Sequence, residues 1–474
     1  MNSVTIKSFQ FLGLEKQLIR VEALCSRGLA NLNISGLPDT ALKESREKVK
    51  QLVAQIIDWG PMDKVMVELS PSEHIKSGKH LELAIALACL CVLHREDKIP
   101  LDSSLSQVTF AGELSLSGEI RETDLTQALR HSELESFIGA EQYKTLEEVW
   151  EALKQGQIAS SITPSKERPS FHITKKREAI PEVKGRVWER FCLLSACAAE
   201  LPALLLGPPG IGKSFLSKWA AGLCPEAEAD TLKQKQHIWR LAERQEAPLA
   251  PIMNPHAKVQ LSEFRGVQRA GTEFPGLFSL AHGGTLILDE FAEMNRDVRE
   301  ILRNVIDNKT IEKYSRAGRS QWPADFWLLL TSNPCPCGYA RGSDLSHCRC
   351  SDSSRITYQN RISGPILSRV GVTLFIDDDH MRAPTWVPKS LVEESQLIPQ
   401  VLRKIRKSMK SDTRTAKQAL QEYCANTNWS FSERKWKNIS KMLTAMHGLS
   451  NAPMAEIIPT LLTQQISSQN IFRR

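Results

Sequence analysis

Three stretches of this chain carry side chains suited to phosphate chemistry. LLLGPPGIGKS, Leu204–Ser214, runs an apolar strand into G-x-x-x-x-G-K-S and then into a helical pattern, FLSKWAAGL. That is the strand–loop–helix setting of a phosphate-binding loop. Gly207, Gly210 and Gly212 let backbone N–H groups curl around phosphates, Pro208, Pro209 and Ile211 complete the loop, and the following helix adds its N-terminal dipole. Lys213 is placed to meet the β- and γ-phosphates of ATP, and the Ser214 hydroxyl to ligate Mg²⁺. GGTLILDEF, Gly283–Phe291, ends a buried apolar strand in two carboxylates. Asp289 suits the magnesium, directly or through water, and Glu290 suits polarising the attacking water; an acidic strand end that caps the next helix is the plainer alternative. FWLLLTSNP, Phe326–Pro334, is a third apolar strand, ending at Asn333. An amide there can reach both the γ-phosphate and the water, or simply form a turn before proline.

A second chemistry follows at once. NPCPCGYARGSDLSHCRC, Asn333–Cys350, holds four of the eleven cysteines as two C-x-C pairs, Cys335/Cys337 and Cys348/Cys350. Four thiolates satisfy the preference of zinc for a closed, tetrahedral, sulfur-rich structural site. His347 is able to replace one of them, and four reduced, unligated thiols are the alternative. The other cysteines lie mostly in apolar surroundings and read as core filler.

These motifs need elements to position them. At 474 residues the chain is long for one core, so two to four domains are expected. Hydrophobic and charged fractions of 41% and 24% are those of a folded soluble protein, and a net charge of +7 permits an anionic partner without requiring one. Charged residues interrupt any leader after Met1, and the longest apolar runs are too short to span a bilayer, so a cytoplasmic location without membrane contact is expected. An odd cysteine count there argues against a disulfide framework. Residues 1–160 alternate β-rich runs with helical patterns. Residues 161–182 are polar, basic and proline-punctuated and read as a linker. Residues 183–385 carry the strand–loop–helix units with the cysteine loop 335–350, and residues 386–474 read as helical.

The combination of ISGLPDTALKESREKVK, FAGELSLSGEIR, GPPGIGKS, FSLAHGGTLILDEF, NPCPCG and RISGPILSRVGV resembles the AAA+ ATPases, and among them the magnesium-chelatase-like branch that includes the ComM/YifB proteins. The resemblance covers residues 1 to about 380 well and the tail poorly. It implies an α/β fold: an AAA+ P-loop core, an amino-terminal Lon-protease-like domain of the ribosomal S5 type and a carboxy-terminal helical lid. It also implies a homo-oligomeric ring, hexameric in the family, that uses ATP to move DNA and promotes branch migration during uptake of transforming DNA. A chelatase- or MoxR-like remodeller of proteins is the alternative. Arg369, with Arg361 second, matches the family position of an arginine finger supplied to a neighbour, and Arg434 in FSERKWKNI matches a sensor that would lie over the phosphates of its own chain.

The sequence also departs from that family. Ser70, Ser72 and Ser77 with Lys76 and Lys79 give no convincing peptidase dyad. In PIMNPHAKVQLSEFRG, Pro255 and His256 are kept, but Ala257 stands where the family has a second histidine. The tail lacks the arginine-rich helix. DNA contact is therefore expected from Lys258, Arg265 and Arg269, or from the clusters Lys175–Arg177 and Arg403–Lys410, through phosphates and without regard to sequence.

Overall fold

The computed structural model describes residues 3–36, 40–71, 76, 78–94, 108–123, 126, 137–158, 172–174, 180–242, 246–269, 272–315, 318–340, 345–377, 383–390, 397–409, 414–427 and 431–470. Among them no helix is long and apolar enough to cross a membrane.

The first unit is a six-stranded mixed sheet. Its strands are β1 (Ser3–Leu12), β2 (Glu15–Arg27), β3 (Asn31–Ser35), β4 (Asp63–Ser70), β5 (Thr109–Phe110) and β6 (Phe137–Ile138), in the order β3-β4-β2-β1-β5-β6. β1 and β2 form an antiparallel hairpin in continuous register from Ser3↔Leu24 to Leu12↔Glu15. Along β4 the residues Val65, Val67 and Leu69 are fully buried, the period of two expected where one face of a strand meets a core. That face packs against α1 (Thr40–Ile56) and α2 (Glu82–Leu93), and α3 (Leu146–Lys154) adds Val149, Trp150 and Leu153 to the same core. α2 is apolar almost all round and correspondingly buried, a central helix rather than an amphipathic one. Its first turn contains Glu82, fully buried, whose carboxylate accepts from the Ser45 hydroxyl, from Lys48 Nζ at 2.7 Å and from the Leu114 N–H at 2.8 Å.

The second unit is a five-stranded sheet of β8 (Ala203–Leu206), β10 (Ile252–Met253), β11 (Thr285–Leu288), β12 (Trp327–Ser332) and β13 (Val372–Phe375). The order is β10-β11-β12-β8-β13, and every neighbouring pair is parallel. ALLL, TLIL and WLLLTS are buried along their whole length, as strands covered on both faces must be. Helices α4 (Val187–Ala198) and α5 (Lys213–Gly222) lie on one face; α6 (Ala229–Leu241) and α7 (Arg296–Asn308) supply apolar residues to the other. Four further helices follow: Ile398–Met409, Arg414–Thr427, Glu433–Ser450 and Met454–Asn470. They share one core with α4, α5 and β13.

The stretch expected as a linker, 161–182, does more than connect. His172–Thr174 is a strand, β7, that pairs in parallel with β9 (Glu246–Pro248), and Ile180 packs into the core beside Gly222. The two units also touch directly. Phe9 and Phe11 of β1, with Ala111 and Phe137, belong to the same apolar cluster as Phe264, Leu286 and Trp322 of the second unit. The Phe11 ring lies 5.6 Å from that of His237.

Two outcomes follow from the buried polar groups. Glu82→Ala leaves Lys48 and the Leu114 N–H without their anion, and is expected to cost about 3–5 kcal/mol of stability, read from a denaturant midpoint. His80, fully buried, has its Nε2–H donating to the Phe9 carbonyl at 2.7 Å; burial pulls its pKa down to about 4, as it does for His237 and His282. These imidazoles stay neutral when folded, whereas the unfolded chain takes up protons below about 6.5. Stability is therefore present above about 6.5 and lost as pH falls toward 4. Denaturation midpoints against pH should show that fall, shallower in His80→Asn.

Candidate nucleotide site and cysteine cluster

Because β8, β11 and β12 run parallel and adjacent, their carboxyl ends deliver the three motifs to one edge, where α/β sheets bind ligands. Gly207 leaves β8 so close to the Ile376 carbonyl that a Cβ would sit 2.2 Å from its oxygen, which excludes any larger residue there. Lys213 starts α5, and its Nζ donates to the carbonyls of Gly207 and Pro208, both at 2.8 Å, and to Asn333 Oδ1 at 3.0 Å. Burial lowers the Lys213 pKa, with Asp289 and Glu290 acting in the opposite direction. The Ser214 hydroxyl donates to Asp289 Oδ2 at 2.7 Å. Lys213, Ser214, Asp289 and Asn333 thus meet as the motif spacing implied. Glu290 is exposed beside them in a left-handed backbone conformation, φ 52°, its N–H donating to Thr331 Oγ1 at 3.1 Å. Thr331 also donates its hydroxyl to Asp289 Oδ1. The sequence reading passed over Thr331, although a polar residue inside the otherwise apolar WLLLTS was its signal.

Two of the three arginines stand together elsewhere. Arg369 grips Asp307 with Nε at 2.9 Å and with Nη2, and donates Nη1 to the Pro365 carbonyl at 2.6 Å. Arg434, matched by resemblance to a sensor over the phosphates of its own chain, approaches the same Asp307 at 3.4 Å. One turn on, Asn438 hydrogen-bonds the carbonyls of Ser368 and Arg369. Asp307, which nothing in the sequence marked, holds both guanidinium groups at the end of α7. Arg361 is separate. It pairs with Glu293 at 3.0 Å and lies 5.4 Å over the Tyr358 ring, close behind the turn that carries Glu290.

The four loop cysteines converge, all Sγ atoms within 4.8 Å of one another. Cys335 lies 3.4 Å from Cys337 and 3.8 Å from Cys348, and Cys337 lies 3.7 Å from Cys348. Backbone N–H groups already serve this sulfur cluster, Cys337 donating to Cys350 Sγ and Ala340 to Cys335 Sγ, each at 3.4 Å. Such donors stabilise thiolates, and four convergent sulfurs fit a tetrahedral zinc ion. His347 stands outside the group, its Nδ1 paired with the Ser346 hydroxyl at 2.9 Å.

The candidate DNA contacts fare unevenly. Lys258 is exposed; Arg265 donates to the Glu312 carbonyl at 3.0 Å. Arg403 pairs with Glu226 at 3.0 Å, and Arg406 is turned inward onto the Cys197 carbonyl at 2.7 Å, so the Arg403–Lys410 cluster is not one free basic stripe. Lys175–Arg177, Lys410 and the Arg269 side chain lie outside the described residues. Of the groups weighed for peptidase chemistry, Lys79 pairs with Glu113 at 3.1 Å and Lys76 is buried, while Ser72 and Ser77 are outside the described residues.

Comparison with known proteins agrees with this arrangement. Residues 179–383 match the family described as magnesium chelatase, subunit ChlI, and residues 21–136 match a second described as subunit ChlI of Mg-chelatase. An uncharacterized protein of Mycobacterium tuberculosis (strain H37Rv), Rv2897c, is 30% identical over 383 residues, covering 76% of this chain and 74% of that protein. YifB of Escherichia coli (strain K12) is 29% identical over 77% of this chain and 74% of its own length. The competence protein ComM of Haemophilus influenzae is 27% identical over 79% and 76% respectively. A parallel sheet ending in a phosphate-binding loop, carried on a chain this similar over most of its length, belongs to the ComM/YifB family of magnesium-chelatase-like AAA+ ATPases.

Proposed function

We propose that this protein is an ATP-hydrolysing motor that works as a homo-oligomeric, hexameric ring in the cytoplasm and acts on DNA, promoting branch migration. The observation that carries the ATPase reading is the pair of contacts joining Lys213 to Asn333 and Ser214 to Asp289, which gather three separate pieces of chain at one strand edge. In this reading residues 1–160 form the Lon-like domain, residues 183–385 the ATPase core and residues 386–474 the helical lid. The glycine loop and Lys213 hold the phosphates; Ser214 and Asp289 would hold Mg²⁺, which supplies charge neutralisation at the phosphates. Lys213 trades its two carbonyl partners for phosphate oxygens while Asn333 keeps it in line. Glu290, exposed and with its backbone anchored to Thr331, accepts a proton from the attacking water.

Arg369 and Arg434, both in contact with Asp307, are supplied together to a neighbouring subunit. There the guanidinium charge meets the developing charge of the transferred phosphoryl group. The competence name of one relative supports DNA as the substrate. The match to a chelatase subunit supports protein remodelling as the second reading.

Steady-state ATP turnover with and without single-stranded, duplex and branched DNA tests the proposal. Stimulation by DNA, abolished in Glu290→Gln, is the expected result; turnover indifferent to every DNA form moves the reading to protein remodelling. Asp307→Asn weakens the hold on both arginines. It is expected to lower turnover about 10-fold or more while leaving nucleotide affinity within about 2-fold, whereas Lys213→Ala removes binding itself. Mixing Arg369→Ala subunits with Glu290→Gln subunits should restore turnover if the arginine acts across the interface.

A further inference from the structure

The cysteine cluster and the phosphate-binding loop are in direct contact through one residue. Gly338 follows Cys337 and has φ +88°, a left-handed conformation that favours glycine. A Cβ built on it would lie 2.4 Å from Cδ of Pro209, inside the phosphate loop. Its N–H donates to the Cys335 carbonyl at 3.0 Å, so the backbone that meets Pro209 is fixed by the cysteine turn itself. Pro209 is a rigid ring rather than the end of a flexible side chain, and a displacement on either side is passed to the other. Two residues before Cys335 stands Asn333, which receives the Lys213 ammonium. At its far end the cluster is tied to the helix Asp352–Gln359: Arg355 Nη1 donates to the Cys350 carbonyl at 3.3 Å, and Gln359 Nε2 to the Pro334 carbonyl at 3.2 Å. Further along the loop, a Cβ added at Gly210 or Gly212 would meet nothing within 4 Å.

We propose that a metal ion held by Cys335, Cys337, Cys348 and Cys350 props the phosphate loop through the Gly338–Pro209 contact, so that metal occupancy and nucleotide affinity are thermodynamically linked. The proposal rests on the ATP-binding reading above. With zinc bound, the cysteine turn is a closed, stiff object, and the loop against it is ordered before nucleotide arrives. Without the ion the turn loosens, and nucleotide binding must order both. Linkage is reciprocal: whatever factor the metal adds to nucleotide affinity, nucleotide adds to metal affinity.

The experiment uses the full chain, loaded with Zn²⁺ or stripped by a chelator, and a fluorescent, non-hydrolysable ATP analogue. Stripping, or the double substitution Cys348→Ser/Cys350→Ser, is expected to weaken analogue binding on the order of 5- to 10-fold. The analogue should raise zinc affinity, measured by competition with a chromophoric chelator, by the same factor. Gly338→Ala is expected to retain one zinc per chain while binding the analogue less tightly. Pro209→Ala is expected to make analogue affinity insensitive to zinc. Far-UV circular dichroism and melting of each variant separate these effects from loss of fold. Equal analogue affinity of loaded and stripped chains overturns the coupling, as does a chain that takes up no zinc. If the loaded chain fails to bind the analogue at all, the ATP reading itself falls, and that outcome is visible before any variant is made.

Discussion

Lys213 is the point on which this architecture turns. A lysine so deeply buried is costly unless its charge is met, and here two loop carbonyls and one amide oxygen meet it, with Asp289 and Glu290 nearby. The two carbonyls lie in its own loop, while Asn333 and the acids arrive from other parts of the chain because three parallel strands end level with one another. The all-apolar strands exist to make that edge. Their burial on both faces fixes the sheet, and the sheet fixes where Gly207, Asp289 and Asn333 emerge. The ammonium thus closes its own loop across the Gly207 and Pro208 carbonyls.

Much of this was legible in the sequence because it is local. A glycine loop between a strand and a helix, or carboxylates at a strand end, declare themselves within ten residues, and the four motif residues meet accordingly. The cysteine pairs were equally plain, since only their types and spacing were needed to foresee the sulfur cluster. What the sequence hid is what depends on distant packing. The helix that carries Arg434 is held where Asn438 binds the backbone at Ser368 and Arg369, contacts that nothing near it in the sequence announces. Asp307 drew no notice in the sequence, because its two guanidinium partners come from 62 and 127 positions away. Residues 161–182 looked like a connection because their composition is polar, but β7 needs only backbone hydrogen bonds to pair with β9, and composition does not report those.

The same contrast separates the basic residues. Charge counted along the chain suggested a stripe at Arg403–Lys410. In the fold, periodicity sends Arg406 inward, where burial and the neighbouring cysteines set its surroundings, while Arg403 faces Glu226. A helix with basic residues on several sides cannot offer them all to one polyanion. The helix Ile398–Met409 therefore does not present its basic residues as one stripe.

The shared cluster of Phe9, Phe11, Ala111 and Phe137 with Trp322 and Phe264 has a mechanical meaning. An appended domain on a free tether would absorb the motion of the engine beneath it. Here β1 is seated in the same apolar mass that backs the nucleotide-binding sheet, and a glycine at its turn, Gly13, comes so close to Gln321 that a Cβ would touch its carbonyl oxygen at 2.6 Å. The two units are thus joined twice, by shared apolar packing and by a backbone approach that has no room for a side chain.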